Sequence, residues 1–273
     1  MKRIVTFLAV GALFVAACGG GNDDNSAAPA TGSTGSAAGS GGGGNNVSAA
    51  DADRVAHAGL PGAGDLPGGA GEWLVTADDE FGSSDSTFLE FIEGNPECET
   101  LNNLATLESV FGGDGEDDDE PVGQAQREFE NQDPAAILPT SLEVKIEIDE
   151  SSGGSQAAFA LVKDLFESDD TSDCLISVLN NQFTETGPAG VTIEVKKGSG
   201  SASAPQNGAR MAFDIEMSVS GIELAMAMQM YFWPYENAQV QVLFLGTNET
   251  LTESLVGDVL KTVDSKVKAA AGE

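Results

Sequence analysis

The chain has 273 residues and a formal net charge of −32, from 44 acidic and 12 basic residues. This imbalance excludes nucleic acid as an expected partner, because contacts to phosphates need basic patches. Hydrophobic residues make up 41% of the sequence, which is sufficient for the core of one sizeable domain or two small ones.

The N-terminal segment has the pattern of a secretory signal. Lys2 and Arg3 provide a positively charged start, and residues 4–17 form an apolar run. A run of this length is typical of the hydrophobic part of a signal peptide and is too short to span a bilayer comfortably. We therefore expect residues 1–17 to be a signal peptide and the protein to be exported.

Cys18 ends the sequence VAAC of residues 15–18, which resembles the lipobox of bacterial lipoproteins. In that family the signal is cut before the cysteine, and its thiol receives a diacylglycerol. The resemblance implies that Cys18 is the lipidation site and that acyl chains, such as palmitate, anchor the protein to a membrane. Two or three chains anchor stably, at about 0.8 kcal/mol per buried methylene. The alternatives are an ordinary secretory signal with a chance cysteine and a buried N-terminal helix.

Residues 18–50 are rich in Gly, Ser, Ala, Asn and Thr and have almost no apolar side chain larger than alanine. Such a segment cannot bury a core and is expected to be a flexible tether with a span of about 30 Å. We expect it to hold a single domain, residues 51–273, at the extracytoplasmic face of the cell membrane or of the outer envelope.

The first part of the predicted domain contains few clear elements. Residues 60–71 are typical of an extended lead-in with turns, and a short strand is predicted at residues 73–76. Helical spacing of apolar residues begins at Cys98 and ends at residue 107. A strand of weak amphipathicity is predicted over residues 122–129.

The acidic stretch GDGEDDDE, residues 113–120, is the obvious place to look for cation binding. An EF-hand loop needs glycine at its sixth position and glutamate at its twelfth. Counted from Asp114, these positions hold Asp119 and Ala125, so the pattern fails and a solvated acidic loop is favoured. The overall acidity fits either a saline habitat, where screening reduces self-repulsion, or cation binding.

The second half of the chain has sharper patterns. Residues 142–148 alternate apolar and charged side chains, as a half-buried strand requires. Helices are predicted over residues 157–166 and 173–183, the second with Cys174 on its apolar face. An antiparallel meander follows, with strands over residues 191–195, 209–219, 222–232 and 240–245 and with turns at Ser220-Gly221 and in the sequence WPYEN.

The last helix has the clearest local pattern. Thr250 and Glu253 fit a capping box, and lysines lie towards the C-terminal end of the helix dipole. The apolar stripe consists of Leu251, Leu255, Val256, Val259, Leu260, Val263 and Val267. Together the elements predict an α+β fold, in which an antiparallel β-sheet meander is covered by helices and closed by this C-terminal amphipathic helix.

Cys98 and Cys174 remain inside the predicted domain once Cys18 is assigned to lipid. An exported chain meets an oxidising environment, so we expect a disulfide between them. On the chain-entropy model, such a bond stabilises the folded state by ~4–5 kcal/mol. The alternatives are two buried free thiols, or metal ligands, for which the sequence has no neighbouring Cys or His.

Methionines recur on one side of the predicted meander. Such a surface is soft and adaptable, so it is either a core covered by helices or the lining of a cavity for an acyl chain or another apolar ligand. Tyr231, Trp233 and Tyr235 cluster around the WPYEN turn, either as an exposed interaction tip or as a cap on the sheet edge. The candidate apolar ligand face consists of Met211, Met217, Met226, Met228 and Met230.

The order of these features resembles a known family. The chain is similar to the extracytoplasmic sensor-like domains of actinobacteria in the order of its features. These are the motif DLP of residues 65–67, Trp73, a first cysteine, a strand with an alanine-rich helix, a second cysteine, a meander and a final helix. Some of these sensor-like domains are attached to membrane serine/threonine kinases, and others are free lipoproteins. More loosely, the order resembles the α/β/α sandwich of PsbP-like and Mog1-like proteins. The resemblance implies the fold and the location only.

The sequence contains no familiar catalytic motif of a serine hydrolase, metalloprotease, dithiol or phosphate-binding loop. His57, the single histidine, is interpreted as a surface residue. We therefore expect a membrane-anchored bacterial lipoprotein without enzymatic activity, cofactor or metal, whose domain binds or senses a small molecule or a protein. The alternatives are a carrier for lipid or another hydrophobic ligand, with a Met-lined cavity, and a hydrolase that uses carboxylates alone.

Overall fold

The computed structural model describes residues 48–78, 98, 122–132, 138–149, 159–160, 163–164, 166–186, 190–219 and 221–272. The predicted signal peptide, Cys18, nearly all of the tether and the acidic stretch of residues 113–120 lie outside the described residues. The same holds for the helix predicted to follow Cys98.

The described residues include three α-helices and seven β-strands. The helices are α1 (Ala49–Gly59), α2 (Asp169–Thr186) and α3 (Glu253–Ala271). The strands are β1 (Trp73–Ala77), β2 (Gly123–Asn131), β3 (Ser141–Ile148), β4 (Val191–Lys197), β5 (Ala209–Val219), β6 (Ile222–Tyr235) and β7 (Ala238–Gly246). Short 3₁₀ turns lie at Ala63–Asp65, Gly69–Gly71 and Pro205–Asn207, and residues 159–160, 163–164 and 166–167 are helical, as predicted.

All seven strands belong to one sheet with the order β1-β2-β3-β7-β6-β5-β4, and every neighbouring pair is antiparallel. Strands β4 to β7 form the predicted meander. β3 joins it by pairing with β7, so that Ser141 lies opposite Leu245 and Ile148 lies opposite Ala238. This architecture agrees with the predicted α+β class.

Helices lie on both faces of the sheet, because the central strands carry apolar side chains on both sides. On the first face, α1 and α3 share one core with β2, β3, β6 and β7. On the second face, α2 shares another core with β4, β5 and β6. None of the helices in the described ranges combines the length and the apolar character needed to cross a membrane.

The sequence analysis does not predict α1. Ser48 caps this helix, since its hydroxyl oxygen accepts a hydrogen bond from the Asp51 N–H at 3.3 Å. Its fully buried side chains, Ala52 and Ala56, are small and give a weak apolar pattern. They let the helix approach the sheet closely: a Cβ added at Gly123 of β2 would lie 2.4 Å from the carbonyl carbon of Ala52. Glycine is therefore needed at this contact.

The capping box predicted for α3 is wrong. Thr252 is the N-cap, and its hydroxyl oxygen accepts a hydrogen bond from the Leu255 N–H at 3.2 Å. Thr250 instead belongs to the preceding turn, where its hydroxyl oxygen accepts from the Thr247 N–H at 3.0 Å. The chain turns once more before the helix begins, so the cap lies two residues later than Thr250. The predicted stripe is buried at Val256, Val259, Leu260, Val263 and Val267.

Cys98 and Cys174 form a disulfide, as predicted. Their Cα atoms are 4.8 Å apart, and both side chains are buried. Because Cys174 lies in α2, the bond ties this helix to a residue 76 positions earlier in the chain.

Candidate functional site

The methionines lie in the core of the second face. Met211, Met217, Met226 and Met228 are each at most 8% exposed, and they share this core with apolar side chains of α2. Met230 is half-buried and packs against the same core. A helix therefore covers the methionine face, as expected of a core. A ligand role for this face stays a prediction.

Tyr231, Trp233 and Tyr235 do not form an exposed tip. They are 0%, 1% and 9% exposed and belong to the core of the first face. β6 continues through Tyr235, and the turn falls at Glu236 and Asn237. The interaction-tip interpretation is wrong because the strand extends further than the WPYEN sequence suggests.

Gln229 lies on the first face of β6, among the aromatic side chains, and is 4% exposed. Its Oε1 accepts hydrogen bonds from the Ser201 N–H at 3.0 Å, from the Ser201 hydroxyl at 2.8 Å and from the Tyr231 hydroxyl at 2.7 Å. A backbone N–H can only donate, so this atom is the amide oxygen and not the nitrogen. Gln229 thereby anchors the loop that joins β4 to β5.

The β4–β5 loop, residues 198–208, is held against the first face by further hydrogen bonds. The Ala202 N–H donates to the Tyr231 hydroxyl oxygen at 3.3 Å, and Arg210 donates to the Ala202 carbonyl at 2.7 Å. Burial raises the pKa of Tyr231, so its hydroxyl keeps the proton that it donates to Gln229. Hydrogen bonds from both its backbone and its side chains therefore hold the loop against β5 and β6.

A cavity of about 340 Å³ lies between the β4–β5 loop, strands β5 and β6, and the N-terminal end of α3. We call it the α3 cavity. Its volume lies at the lower end of the range of ~300–1,000 Å³ for small-molecule sites. The polar side chains that line it include Ser199, Asp214, Gln229, Asn248, Thr252 and Glu253.

The register of the sheet explains how these side chains come together. Ala212 lies directly opposite Gln229, and Asp214 lies directly opposite Ala227. Residues directly opposite each other point to the same side of a sheet, so Ala212, Asp214, Ala227 and Gln229 form the floor of the cavity on the first face. α3 begins beside this floor.

The amide nitrogen of Gln229 is the unpaired polar atom of this side chain. Among the described residues, every hydrogen bond of Gln229 goes to Oε1 and none goes to Nε2. The fully enclosed side-chain atoms without a partner in the described ranges include Trp233 Nε1 and Thr171 Oγ1, and Nε2 is not one of them. Because Gln229 lines the α3 cavity, this nitrogen is available to a ligand there.

Hydrogen-bond donors and acceptors both surround the α3 cavity. Asp214 and Glu253 supply carboxylate oxygens. The end of α3 supplies the positive end of the helix dipole, and the first N–H groups of a helix have no partner within it. Lys196 lies opposite Asp214 in the register, but its Nζ binds Glu216 at 2.8 Å and Glu194 at 3.4 Å. The cavity is therefore polar and carries net negative charge.

A groove of about 740 Å³ continues on the other side of the β4–β5 loop, between residues 202–206 and α3. Glu253 lines both the cavity and the groove. Gln206, whose backbone φ is 51°, donates a hydrogen bond from Nε2 to Asp264 across the groove at 3.4 Å. Glu253 therefore lies between the two spaces.

Glu143 is a second unusual polar residue, on the second face of β3. Burial raises its pKa to about 7; the carboxylate of Glu128, directly opposite on β2, adds to this shift, and Lys145 opposes it. Lys145 pairs with Glu147 at 2.7 Å. Glu143 lines neither the α3 cavity nor the groove.

The remaining candidates from the sequence are the single histidine and possible metal ligands. His57 is exposed near the end of α1, as interpreted from the sequence. In the part of the chain that the structure describes, no three His, Cys, Asp or Glu side chains are grouped as metal ligands would be. The acidic stretch of residues 113–120 is outside that part.

The sequence analysis missed the α3 cavity because its residues come from four separate segments. One signal was present in the sequence. From Met226 to Tyr235, β6 is apolar on both sides except at Gln229. A single amide in a strand with two buried faces must find partners, which marks the position as unusual.

Comparison of the chain with known protein families gave no match, and neither did comparison with curated proteins. Among solved structures, it is similar to the extracellular domain of PknH from Mycobacterium tuberculosis, at 14% identity and a TM-score of 0.29, over 63% of this chain and 75% of that one. A TM-score this low establishes neither a shared fold nor a shared function.

Proposed function

We propose that this protein is a membrane-tethered, non-enzymatic binding domain outside the cytoplasm and that the α3 cavity is its ligand site. The observation that carries the proposal is Gln229: a side chain 4% exposed that holds the cavity wall with its oxygen and leaves its nitrogen unpaired among the described residues. A ligand acceptor in the cavity can pair with this donor, and a hydrogen bond of this kind contributes about 0.5–1.5 kcal/mol.

The predicted lipobox supports the location. A cysteine that carries two or more acyl chains holds the protein at the membrane, and the glycine-rich segment after it gives the domain reach. Cys18→Ala is expected to release the protein from the membrane fraction, as measured by cell fractionation and detergent partitioning. Unchanged partitioning of this variant contradicts the lipid anchor but does not bear on the proposed ligand site.

Ligand binding in the α3 cavity is tested with a variant that fills it. Ala212 is half-buried on the cavity floor, so Ala212→Met is expected to occupy the space that a ligand needs. The control is Ala225→Met, at an exposed residue on the same face of β6 that lines neither the cavity nor the groove. The measurement is a thermal-shift screen of polar small molecules against the full chain, since a ligand that binds the native state raises its stability.

A ligand at one hundred times its Kd is expected to stabilise the protein by about 2.7 kcal/mol. This gain should persist in Ala225→Met and disappear in Ala212→Met. If no compound distinguishes the two variants, the α3 cavity is not the ligand site. The lipid-carrier alternative has no comparable support, because α2 packs on the methionines that would line its cavity.

A further inference from the structure

We infer that the α3 cavity binds a small neutral polyhydroxyl molecule, a saccharide of one or two rings. This inference rests on the proposed function and narrows it to one class of ligand. It follows from the chemistry of the lining groups, which require a ligand that donates and accepts hydrogen bonds side by side.

An anionic ligand is disfavoured by charge. Asp214 and Glu253 line the cavity, and the nearest lysine in the register, Lys196, is engaged with two other carboxylates. Arg210 lies beside Gly200 of the lining, and its guanidinium donates to the Ala202 carbonyl. The chain as a whole carries a formal charge of −32. A phosphate or carboxylate would have to enter against this field without a basic partner among the lining residues.

A purely cationic ligand leaves the donors of the cavity unpaired. Gln229 Nε2 needs an acceptor, and an ammonium group has none to offer. The positive end of the α3 dipole also opposes a cation at that side of the cavity. Carboxylates alone would attract an amine, but an ammonium group would leave the Gln229 amide donor without an acceptor.

A zwitterionic amino acid would pair its ammonium group with Asp214 and its carboxylate with Gln229 and the end of α3. Glu253 is the first residue of that helix and lines the cavity. Its carboxylate repels the carboxylate of an amino acid at the place where the helix would otherwise attract it. The arrangement therefore favours a neutral ligand over a zwitterion.

Hydroxyl groups satisfy both kinds of lining group, because each hydroxyl donates one hydrogen bond and accepts others. Neighbouring hydroxyls of a sugar ring could accept from Gln229 Nε2 and donate to Asp214 or Glu253, with Asn248 and Ser199 available for further contacts. Glu253 lies between the cavity of about 340 Å³ and the groove of about 740 Å³. A saccharide with a second ring would have to pass Glu253 to reach the groove.

The test is titration calorimetry on the full chain, kept in a detergent without a sugar headgroup. The saccharide probes are glucose, galactose, mannose, N-acetylglucosamine, cellobiose and chitobiose; putrescine and glutamine represent the cationic and zwitterionic classes. At least one saccharide is expected to bind with an affinity that is insensitive to salt, because the ligand is neutral. Ala212→Met is expected to abolish this binding.

Two isosteric variants test the assigned contacts. Gln229→Glu keeps the acceptor oxygen and removes the donor, and Asp214→Asn removes one charged acceptor. Each is expected to weaken saccharide binding about tenfold or more, the equivalent of ~1.4 kcal/mol. The matched controls are Gln241→Glu, at a half-buried β7 residue, and Glu216→Gln, on the same face of β5; neither residue lines the cavity or the groove.

The outcomes separate the two proposals. Binding of putrescine or glutamine that Ala212→Met abolishes, with no saccharide bound, overturns the inference and leaves the proposed function standing. Saccharide binding that survives Gln229→Glu and Ala212→Met also overturns it, because the sugar then binds elsewhere. If Ala212→Met changes the binding of no compound in any class, both proposals fail.

Discussion

The two faces of the sheet differ in what they hold: a methionine-rich core on the second face and the α3 cavity on the first. The second face carries five of the six methionines in the chain, for which the sequence left a covered core and a ligand cavity both open; α2 covers it, and a disulfide ties α2 to Cys98. The first face contains the α3 cavity, between the β4–β5 loop, strands β5 and β6, and the N-terminal end of α3.

The difference teaches that an adaptable apolar surface is not by itself a ligand site. Methionine fills irregular space under a helix as well as it lines a pocket. A better sign of a site is a polar side chain in a buried strand whose hydrogen bonds are only partly used, such as Gln229, because its unused donor can pair with a ligand.

The largest expected effect is loss of the disulfide on the second face. The double variant Cys98→Ser, Cys174→Ser opens a loop that spans 76 residues, and chain entropy assigns such a loop ~4.5 kcal/mol of the free energy of unfolding. Urea denaturation monitored by circular dichroism measures the loss, and the reduced wild-type chain is the matched control. If the variant unfolds at the same urea concentration as the oxidised wild type, the bond does not hold α2 on the sheet.

The next effect is expected at the centre of the methionine core. Met228 is 5% exposed, so Met228→Ala should lower the free energy of unfolding by about 2–5 kcal/mol, while Met228→Leu costs less than about 1.5 kcal/mol. Denaturation curves of the two variants provide the comparison. An Ala variant that keeps its stability but loses a lipid co-purifying with the wild type would show that the second face is a ligand cavity and not a core.

The pH dependence of stability is expected to show the burial of Glu143, on the part of the second face formed by β2 and β3. Its folded-state pKa of about 7 is raised above the ordinary value of 4.5, so the folded state binds more protons between these two values. The stability therefore falls as pH rises from about 4.5 to about 7, by at most about 3 kcal/mol from this group. Glu143→Gln should remove this slope and be more stable than the wild type above pH 7.

The measurement is the free energy of unfolding across this pH range, expressed as the difference between variant and wild type so that the general acidity of the chain cancels. Glu147→Gln is the control, because Glu147 lies on the same strand and the same side and pairs with Lys145. Parallel pH profiles for wild type and Glu143→Gln would mean that this carboxyl is hydrated in the native protein.

The smallest effect is expected on the first face, where Lys266 of α3 pairs with Asp65 at 2.8 Å. The hydrogen bond from Lys266 and a second from the Gly62 N–H lower the pKa of Asp65. Both side chains are more than a third exposed, so Lys266→Gln should cost less than about 1 kcal/mol. The contribution is present at neutral pH and is lost as pH falls through the lowered pKa of Asp65.

Chemical denaturation of Lys266→Gln at neutral and at acid pH measures this contribution, with Lys261→Gln as the control for a more exposed lysine on the same helix. A loss above about 2 kcal/mol would exceed the range of a surface pair and would show that Lys266 packs against α1 or the lead-in segment as part of the core.

Much of the fold was predictable from local patterns. The alternation of apolar and polar residues in 142–148 and 209–219 located two strands to within a residue of their observed bounds. This works because successive side chains of a strand point to opposite faces of the sheet. α3 was equally clear from its stripe. α1 was missed since its buried side chains are alanines, which differ little in hydrophobicity from those of the glycine- and alanine-rich tether before it.

The candidate site was not predictable as a site. The sequence contains Gln229, Asp214 and Glu253, but nothing local shows that β6 lies beside β5 in a register that places them under the same end of α3. Tyr231 and Trp233 illustrate the same limit: a turn-like sequence was interpreted as exposed, although the strand carries both rings into the core.

Local sequence patterns alone predict the strand periods and the final helix. The number of cysteines favours the disulfide, and the N-terminal segment predicts a location outside the cytoplasm. Only the tertiary structure decided that the methionines are covered, that α1 packs on β2 through small residues, and that a cavity opens beside Gln229. The physical reason is that periodicity reveals which side chains must be buried, whereas the partners that bury them, and the space left between those partners, depend on contacts between segments far apart in the chain.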